Sequence, residues 1–440
     1  MLRTAPRNRE AMLLNLGAVS NVPTRAQTRR ARLCFAAVAL SMLLNFFLAF
    51  LNTHGVAMNE GKVTIIQIAV TGLSGCLLLT RVAQARAVPI ITLAVLIVTL
   101  IVMNLIKTPN PKAFYDCLIV PLYIGVGASA YGVRDRWMSW LFWFVVIIVA
   151  MEALLPTIYT AIVNAGDYFR ATRAWVASTA ANKATQDGLY AGAYRGGGTS
   201  AFSMIDHRAG GPFLEPLSLG YFSVLMTIYF SGMHKGGFFY RAIAVIACLV
   251  LSMASDSRAA SGLLLLCAPL LFARLKLPSI LMWVASPILL FIAWFYYTHH
   301  TGDGGELYYR ISLTFDGLAG SNVWEMLVGD VNTEHANDSG FLYLTYNFGL
   351  VGVFLAVFYY SGLFTRQRGS NPSLFICFSL LATLTLLFGG ALLSIKSASL
   401  MGFLVGMAGR APEEVVEDEE EGEDLPQPLP LGRRPAKMLA

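Results

Sequence analysis

Arginines and carboxylates stand at the edges of long apolar runs in this sequence, where charged groups are costly. The stretch 208–220, RAGGPFLEPLSLG, places Arg208 and Glu215 directly before a new apolar run. Charge at a bilayer boundary carries a free-energy cost, so such residues often have a function. Because a guanidinium group forms paired hydrogen bonds with phosphate oxygens, Arg208 is a candidate for binding a phosphate at the level of the lipid headgroups.

A second arginine occupies a comparable place in the stretch 255–258, SDSR, between two apolar runs. With the N-terminus in the cytoplasm, Arg258 falls on the outer side of the membrane, against the usual bias of basic residues. We interpret Arg258 as a ligand-binding residue. The alternatives are a salt bridge to Asp256 and a side chain that extends toward the membrane interface.

A third group of polar residues lies in the segment 299–339. It includes Arg310, and it ends with His335 and Asp338 just ahead of another apolar run. A histidine or carboxylate at this place could accept a proton from an attacking hydroxyl group. His335 is equally compatible with an ordinary polar loop. Because no HExxH or similar spacing of ligands occurs, the sequence does not favour a metal site.

Three further charged residues lie in or beside apolar runs: Lys396, Asp116 and Glu152. Ionisable side chains inside a membrane are expensive and often functional. Neither carboxylate has an evident partner in the sequence, and Glu152 is also compatible with a place near the end of its run. We therefore treat these residues as secondary candidates.

The elements that must position these residues are apolar helices. The chain is 56% hydrophobic and 13% charged, with a mean hydropathy of +0.60, whereas about a quarter of the residues in a soluble domain are charged. Apolar runs of near-bilayer length recur along almost the whole chain, which predicts an all-α polytopic integral membrane protein with about 12 transmembrane helices. The predicted spans are 33–51, 63–80, 88–106, 113–133, 138–158, 215–232, 240–254, 261–273, 278–298, 340–364, 373–391 and 393–408.

Three regions follow from the charge pattern. We expect a basic cytoplasmic segment at 1–32, a transmembrane domain at 33–409, and a disordered, proline-rich cytoplasmic tail at 410–440 that carries nine of the 26 acidic residues. Lysines and arginines in the short loops place both termini in the cytoplasm. Two long polar loops, 164–213 and 299–339, then lie outside, in the periplasm of a bacterium, so any chemistry is expected at that face.

Composition and motifs also argue against several classes of function. No GxxxxGK[ST] loop for nucleotide phosphates occurs, which argues against coupling to ATP. The basic residues are spread through short loops, so nucleic-acid binding is not favoured. All six cysteines lie in apolar runs without a CxxC pair, which indicates packing rather than a disulfide framework.

Four stretches, in their order and in their position relative to the apolar runs, resemble the bacterial O-antigen ligase and polysaccharide polymerase superfamily. Within it they are most similar to the exopolysaccharide polymerases of the xanthan type. The stretches are 208–220 (RAGGPFLEPLSLG), 255–266 (SDSRAASGLLLL), 307–318 (LYYRISLTFDGL) and 327–352 (LVGD…HANDSGFLYLTYNFGLVG). In the ligase pattern a histidine directly precedes the last of these apolar runs. Here Asp338 stands at that place and His335 lies earlier, which favours a polymerase.

The resemblance implies a glycosyltransferase in the bacterial inner membrane that needs neither metal nor cofactor. It would polymerise undecaprenyl-diphosphate-linked oligosaccharide repeat units into exopolysaccharide at the periplasmic face. The implied partners are this lipid-linked substrate, membrane lipid, a chain-length-regulating copolymerase and export proteins, with no nucleic acid. The residues implied to bind the diphosphate leaving group are Arg208, Arg258 and Arg310. Those implied to orient or deprotonate the acceptor hydroxyl are Glu215, His335 and Asp338.

Two alternatives remain open at this point. One is a ligase of the same superfamily, which transfers finished polymer to a different acceptor. The other is a lipid-linked sugar flippase or a secondary transporter, classes that also have many spans. The short segment 233–239 between the predicted sixth and seventh spans, and the lack of a clear internal repeat, argue against a transporter built of two halves.

Overall fold

Helices dominate the computed structural model of the chain. It describes residues 25–79, 110–130, 133–173, 183–194, 204–275, 277–300, 305–331, 339–362 and 371–409, with residues 176 and 202 and isolated residues between 94 and 106. The described residues are 81% helical, and none of them forms a strand. In chain order the helices are α1 (Arg25–Thr53), α2 (Glu60–Leu79), α3 (Pro111–Ser129), α4 (Asp135–Leu154), α5 (Pro156–Ile162), α6 (Ala165–Thr172), α7 (Lys183–Gln186), α8 (Pro216–Ile228), α9 (Phe238–Ala254), α10 (Arg258–Phe272), α11 (Leu281–His299), α12 (Gly305–Ala319), α13 (Val323–Val328), α14 (Gly340–Tyr360), α15 (Pro372–Leu387) and α16 (Ile395–Ala408).

The apolar composition is concentrated in these helices. Within the described part of the chain, α1, α2, α4, α11 and α14 are each long and apolar enough to cross a membrane. Four shorter apolar helices accompany them: α9, α10, α15 and α16. Large apolar side chains such as Ile65 and Phe239 are exposed on the outside of this arrangement, as expected of surfaces that face lipid. The predicted class, an all-α membrane protein, is confirmed.

Two helix boundaries differ from the predicted spans for identifiable reasons. α4 ends at Leu154 rather than at 158, because Pro156 lacks a backbone N–H and begins α5 instead. α10 begins at Arg258 rather than at 261, directly after a turn in which Asp256 has φ +50°. Arg258 is therefore the first helical residue and lies at the positive end of the helix dipole.

Helices α3 and α16 pack with their backbones in contact. A Cβ atom added to Gly406 would collide with the carbonyl oxygen of Ile124, and one added to Gly127 would collide with that of Phe403. Gly402 meets the backbone of Val120 in the same way. Small residues allow this close approach in membrane bundles. Because the contacts advance in the same direction along both helices, α3 and α16 run parallel and begin at the same end of the bundle.

The first glycine of the stretch GLVG, Gly349, produces a kink in α14. Its φ of +65° and ψ of 176° are not helical. A side chain at this position would collide with the carbonyl oxygen of Leu327 in α13. The kink therefore depends on the absence of a Cβ atom.

Candidate functional site

A cavity of about 1190 Å³ lies where the first turns of several helices meet. Residues from the N-terminal turns of α3, α8, α10, α12, α14 and α16 form much of its wall. The N-terminus of a helix carries partial positive charge and amide groups that lack helical partners, so it favours an anion. Within the described chain, neither Ser257 nor Ser394 caps its helix, α10 or α16, with its side chain. The cavity is thus suited to a negatively charged ligand.

The three arginines predicted to bind a diphosphate all line this cavity. They come from different elements: Arg208 precedes α8, Arg258 begins α10, and Arg310 lies in the second turn of α12. Arg258 is exposed, and the other two are half-buried. The fold therefore brings together three cations that are far apart in sequence, on the wall of a single cavity.

Backbone hydrogen bonds fix the position of Arg208. Its N–H donates to the carbonyl oxygen of Ala193 at 2.8 Å, and its Nε donates to that of Ser255 at 3.1 Å. The next amide, of Ala209, donates to the carbonyl oxygen of Ala254 at 2.9 Å. These bonds attach the start of the stretch 208–220 to the end of α9, which places Arg208 beside the turn that leads to Arg258.

The Gly-Gly-Pro turn of this stretch is held by Glu152. The carboxylate accepts hydrogen bonds from the amide of Gly210 at 3.1 Å and from that of Gly211 at 2.5 Å. Tyr159 donates its hydroxyl to the carbonyl oxygen of Gly211 at 2.8 Å. Glu152 is buried in the last turn of α4. Its contacts account for this carboxylate as a group that holds the turn in place.

Glu215 lies in a network of ion pairs. Its Oε1 is 2.5 Å from a terminal nitrogen of Arg173, and its Oε2 is 2.6 Å from Nζ of Lys396. Lys396, whose side chain is only 1% exposed, also donates to the carbonyl oxygen of Phe213 at 3.1 Å. Ser218 donates to Oε2 at 3.2 Å. Both carboxylate oxygens thus have cationic partners, an arrangement suited to fixing the wall of the cavity.

Two tyrosines, Tyr221 and Tyr190, line this end of the cavity. Tyr221 is only 2% exposed, and its hydroxyl makes no hydrogen bond to any described residue. Arg310 is close enough to act on this hydroxyl electrostatically. Since buried hydroxyls almost always have a partner and Tyr221 lines the cavity, its hydroxyl is a candidate hydrogen-bond donor to a ligand there. Burial and the Glu215 carboxylate raise the pKa of Tyr190 to about 12, so this phenol stays neutral.

A second polar region of the cavity surrounds Asp116. Nζ of Lys112 lies 3.0 Å from its Oδ2, and the hydroxyl of Tyr343 donates to the same oxygen at 3.0 Å. Asn45 and Gln67 line the cavity as well. The carboxylate that had no evident partner in the sequence therefore has two, one of them on α14.

The remaining predicted site residues, His335 and Asp338, lie outside the described residues. Their assignments as candidate bases stay predictions. The partners that Glu152, Glu215 and Asp116 have on other elements could not have been found from the sequence, although Lys112 lies only four residues before Asp116 on the same helix. Arg173 is one of several arginines in the polar loop 164–213, and the sequence does not distinguish it from the others. No pattern marks Tyr221 within its apolar run.

Comparisons of this chain with protein-family models, with curated proteins and with solved structures find no match. The fold and the site define an all-α membrane protein in which a cavity lined by several arginines lies at the N-terminal ends of several helices.

Proposed function

We propose that this chain is a membrane-embedded glycosyltransferase of the O-antigen ligase and polysaccharide polymerase superfamily. In this proposal it polymerises undecaprenyl-diphosphate-linked oligosaccharide repeat units into exopolysaccharide at the periplasmic face of a bacterial inner membrane. The chain would have about 12 spans with both termini in the cytoplasm. A chain-length-regulating copolymerase and export proteins are its proposed partners.

The observation that carries this proposal is the convergence of Arg208, Arg258 and Arg310 on one cavity. One guanidinium group can form two parallel hydrogen bonds with phosphate oxygens, and it keeps its positive charge in proteins. A leaving diphosphate gains negative charge as its bond to the sugar breaks, and preorganised cations stabilise that charge most where water is excluded. The buried hydroxyl of Tyr221 adds a neutral donor at the same place.

The position and size of the cavity support the same proposal. Helices α3, α8, α10, α14 and α16 begin at it and correspond to the predicted fourth, sixth, eighth, tenth and twelfth spans. Even-numbered spans all begin at the outer face if the N-terminus is cytoplasmic, so the proposed topology puts the cavity on the periplasmic side. Its volume of about 1190 Å³ exceeds the 300–1,000 Å³ of most small-ligand sites, which leaves room for a donor and an acceptor together.

In the proposed reaction the lipid diphosphate supplies its own activation, so no nucleotide is needed. The three arginines hold the diphosphate, and Glu215 keeps Arg173 and the start of α8 in place through its ion pairs. His335 and Asp338 remain candidates for the base that activates the acceptor hydroxyl.

The test uses purified full-length protein in lipid vesicles with an undecaprenyl-diphosphate repeat unit and no nucleotide. We expect a ladder of longer lipid-linked glycans on gels. Arg258→Ala should reduce the rate of elongation at least tenfold, because one cation opposite the leaving group is lost. Arg136→Ala is the matched control, since Arg136 is exposed at the start of α4 over the ring of Trp140; this variant should elongate as the wild type does.

Other outcomes distinguish the rival functions. Transfer of glycan only after a second, unrelated acceptor is added would indicate a ligase. Movement of intact substrate between leaflets without a product would indicate a flippase. An Arg258→Ala variant as active as the Arg136→Ala control would contradict the role of the arginines.

A further inference from the structure

The polar region around Asp116 has no function in the proposed diphosphate site, yet it belongs to the same cavity. We propose that Asp116 is the base that accepts the proton of the acceptor hydroxyl, and that the region around it binds the acceptor sugar. This inference rests on the proposed function, because it assigns the second substrate of that reaction.

The contacts of Asp116 leave one of its oxygens available. Lys112 and Tyr343 both contact Oδ2, and Oδ1 has no hydrogen bond to any described residue. The carboxylate is mostly buried, with a side-chain exposure of 12%, whereas the side chain of Lys112 is 78% exposed. An ion pair with so exposed a lysine is weak, so it leaves the carboxylate free to interact with a second substrate. Glu215, in contrast, has a cation on each oxygen.

The surroundings of Asp116 have the chemistry of a polyol site. Polar and aromatic side chains near Asp116 line the cavity: Gln67, Tyr115 and Tyr343. Amide and hydroxyl groups can both donate and accept, as sugar hydroxyls require. Aromatic rings present apolar faces on which sugar rings can stack. A further hydrogen bond, from Asn347 Nδ2 to the carbonyl oxygen of Tyr343 at 2.7 Å, braces the start of α14.

The proposed reaction is a substitution at the anomeric carbon of the donor sugar. The acceptor hydroxyl oxygen forms a bond with the anomeric carbon of the donor sugar, and the bond from that carbon to the diphosphate oxygen breaks. The electron pair of the broken bond leaves with the diphosphate. The hydroxyl proton passes to Oδ1 of Asp116 and then to water. The products are the extended glycan and the free lipid diphosphate, whose charge the arginines stabilise.

Among the described residues, the burial of Asp116 and several neighbouring groups act on its charge. Lys112 and Tyr343 contact it directly, and Tyr115, Cys117 and Tyr360 are close enough to interact electrostatically. Tyr343 donates one of the two bonds to Oδ2 of Asp116. Tyr343→Phe should therefore change the pH dependence of elongation while elongation persists. A carboxylate with a purely structural role would not produce this change.

The main experiment compares Asp116→Asn with the wild type in the elongation assay, and with undecaprenyl diphosphate alone as the binding probe. Asparagine preserves the size of the side chain and can still accept the bond from Tyr343. We expect elongation to fall about 10²- to 10⁴-fold, the usual contribution of a general base, with unchanged Kd for undecaprenyl diphosphate. Asp167→Asn, at an exposed carboxylate paired with Arg170, is the control and should elongate normally.

Each other outcome overturns the inference in a recognisable way. If Asp116→Asn elongates as the control does, Asp116 is not the base; loss of elongation in His335→Ala would then assign that role to His335. If Asp116→Asn loses binding of undecaprenyl diphosphate as well, its role is structural. If the wild type does not elongate the lipid-linked glycan, the proposed function fails, and the inference that rests on it fails with it.

Discussion

Two carboxylates on the wall of one cavity, Glu215 and Asp116, have opposite surroundings. Glu215 has a cation on each oxygen, one of them the buried Lys396. Asp116 has both of its partners on one oxygen, and the cationic partner, Lys112, is largely exposed. The two carboxylates differ in the number and burial of their partners rather than in the nature of the acid group, and this difference is why we propose a supporting role for Glu215 and a chemical role for Asp116.

The largest effect should come from breaking the buried ion pair. Lys396→Met leaves Glu215 buried with one cation fewer, and such a loss typically costs about 3–5 kcal/mol of stability. Thermal unfolding in detergent measures the change. Lys112→Met is the matched control: because Lys112 is exposed, its removal should cost about 1 kcal/mol at most. Equal melting temperatures for the two variants would remove the distinction between the two carboxylates.

A second prediction concerns the close packing of α3 against α16. α16 carries Lys396, the partner of Glu215, and packs in parallel against α3, which carries Asp116. Gly406→Ala inserts a methyl group into this backbone contact and should destabilise the fold by about 1–3 kcal/mol.

The control for this packing prediction is Gly262→Ala in α10, where nothing lies within 4 Å of the added methyl group. A compatible glycine-to-alanine change stabilises a protein by about 0.4–1 kcal/mol, so the two variants should shift the melting temperature in opposite directions. A stabilising Gly406→Ala change would contradict the close contact between α3 and α16.

The smallest effect concerns Tyr221 at the arginine side of the cavity. Tyr221→Phe removes a hydroxyl that has no partner among the described residues, so stability should not fall. Under the proposed function, loss of one hydrogen bond to a lipid diphosphate should weaken its binding by about 0.5–1.5 kcal/mol, measured as the Kd for undecaprenyl diphosphate.

Tyr229→Phe makes a useful contrast to Tyr221→Phe. The hydroxyl of Tyr229 donates to Asp135 at 2.7 Å, and neither residue lines the cavity. This variant should lose stability and keep its affinity for the lipid diphosphate. Unchanged binding in Tyr221→Phe would exclude its hydroxyl from the ligand site.

The sequence alone was sufficient to predict the all-α membrane class. Lipid-facing and buried positions of a bundle must both be apolar, so the composition of the runs reveals the helices without any knowledge of their packing. Local signals also account for some boundaries, as Pro156 does for the end of α4. The charged residues at the ends of apolar runs could be chosen as site candidates for the same reason, since charge there is costly.

Only the tertiary structure decided which of these residues meet. Lys396 is 181 positions from Glu215, and Tyr343 is 227 positions from Asp116. Spacing along a chain carries no information about which helix ends lie side by side, because that depends on packing such as the glycine contact between α3 and α16. The sequence by itself determined that charged groups stand at the ends of apolar helices. Packing decided that Glu152 holds a turn, that Glu215 has a cation on each oxygen, and that Asp116, on the wall of the cavity, has both of its described partners on one oxygen.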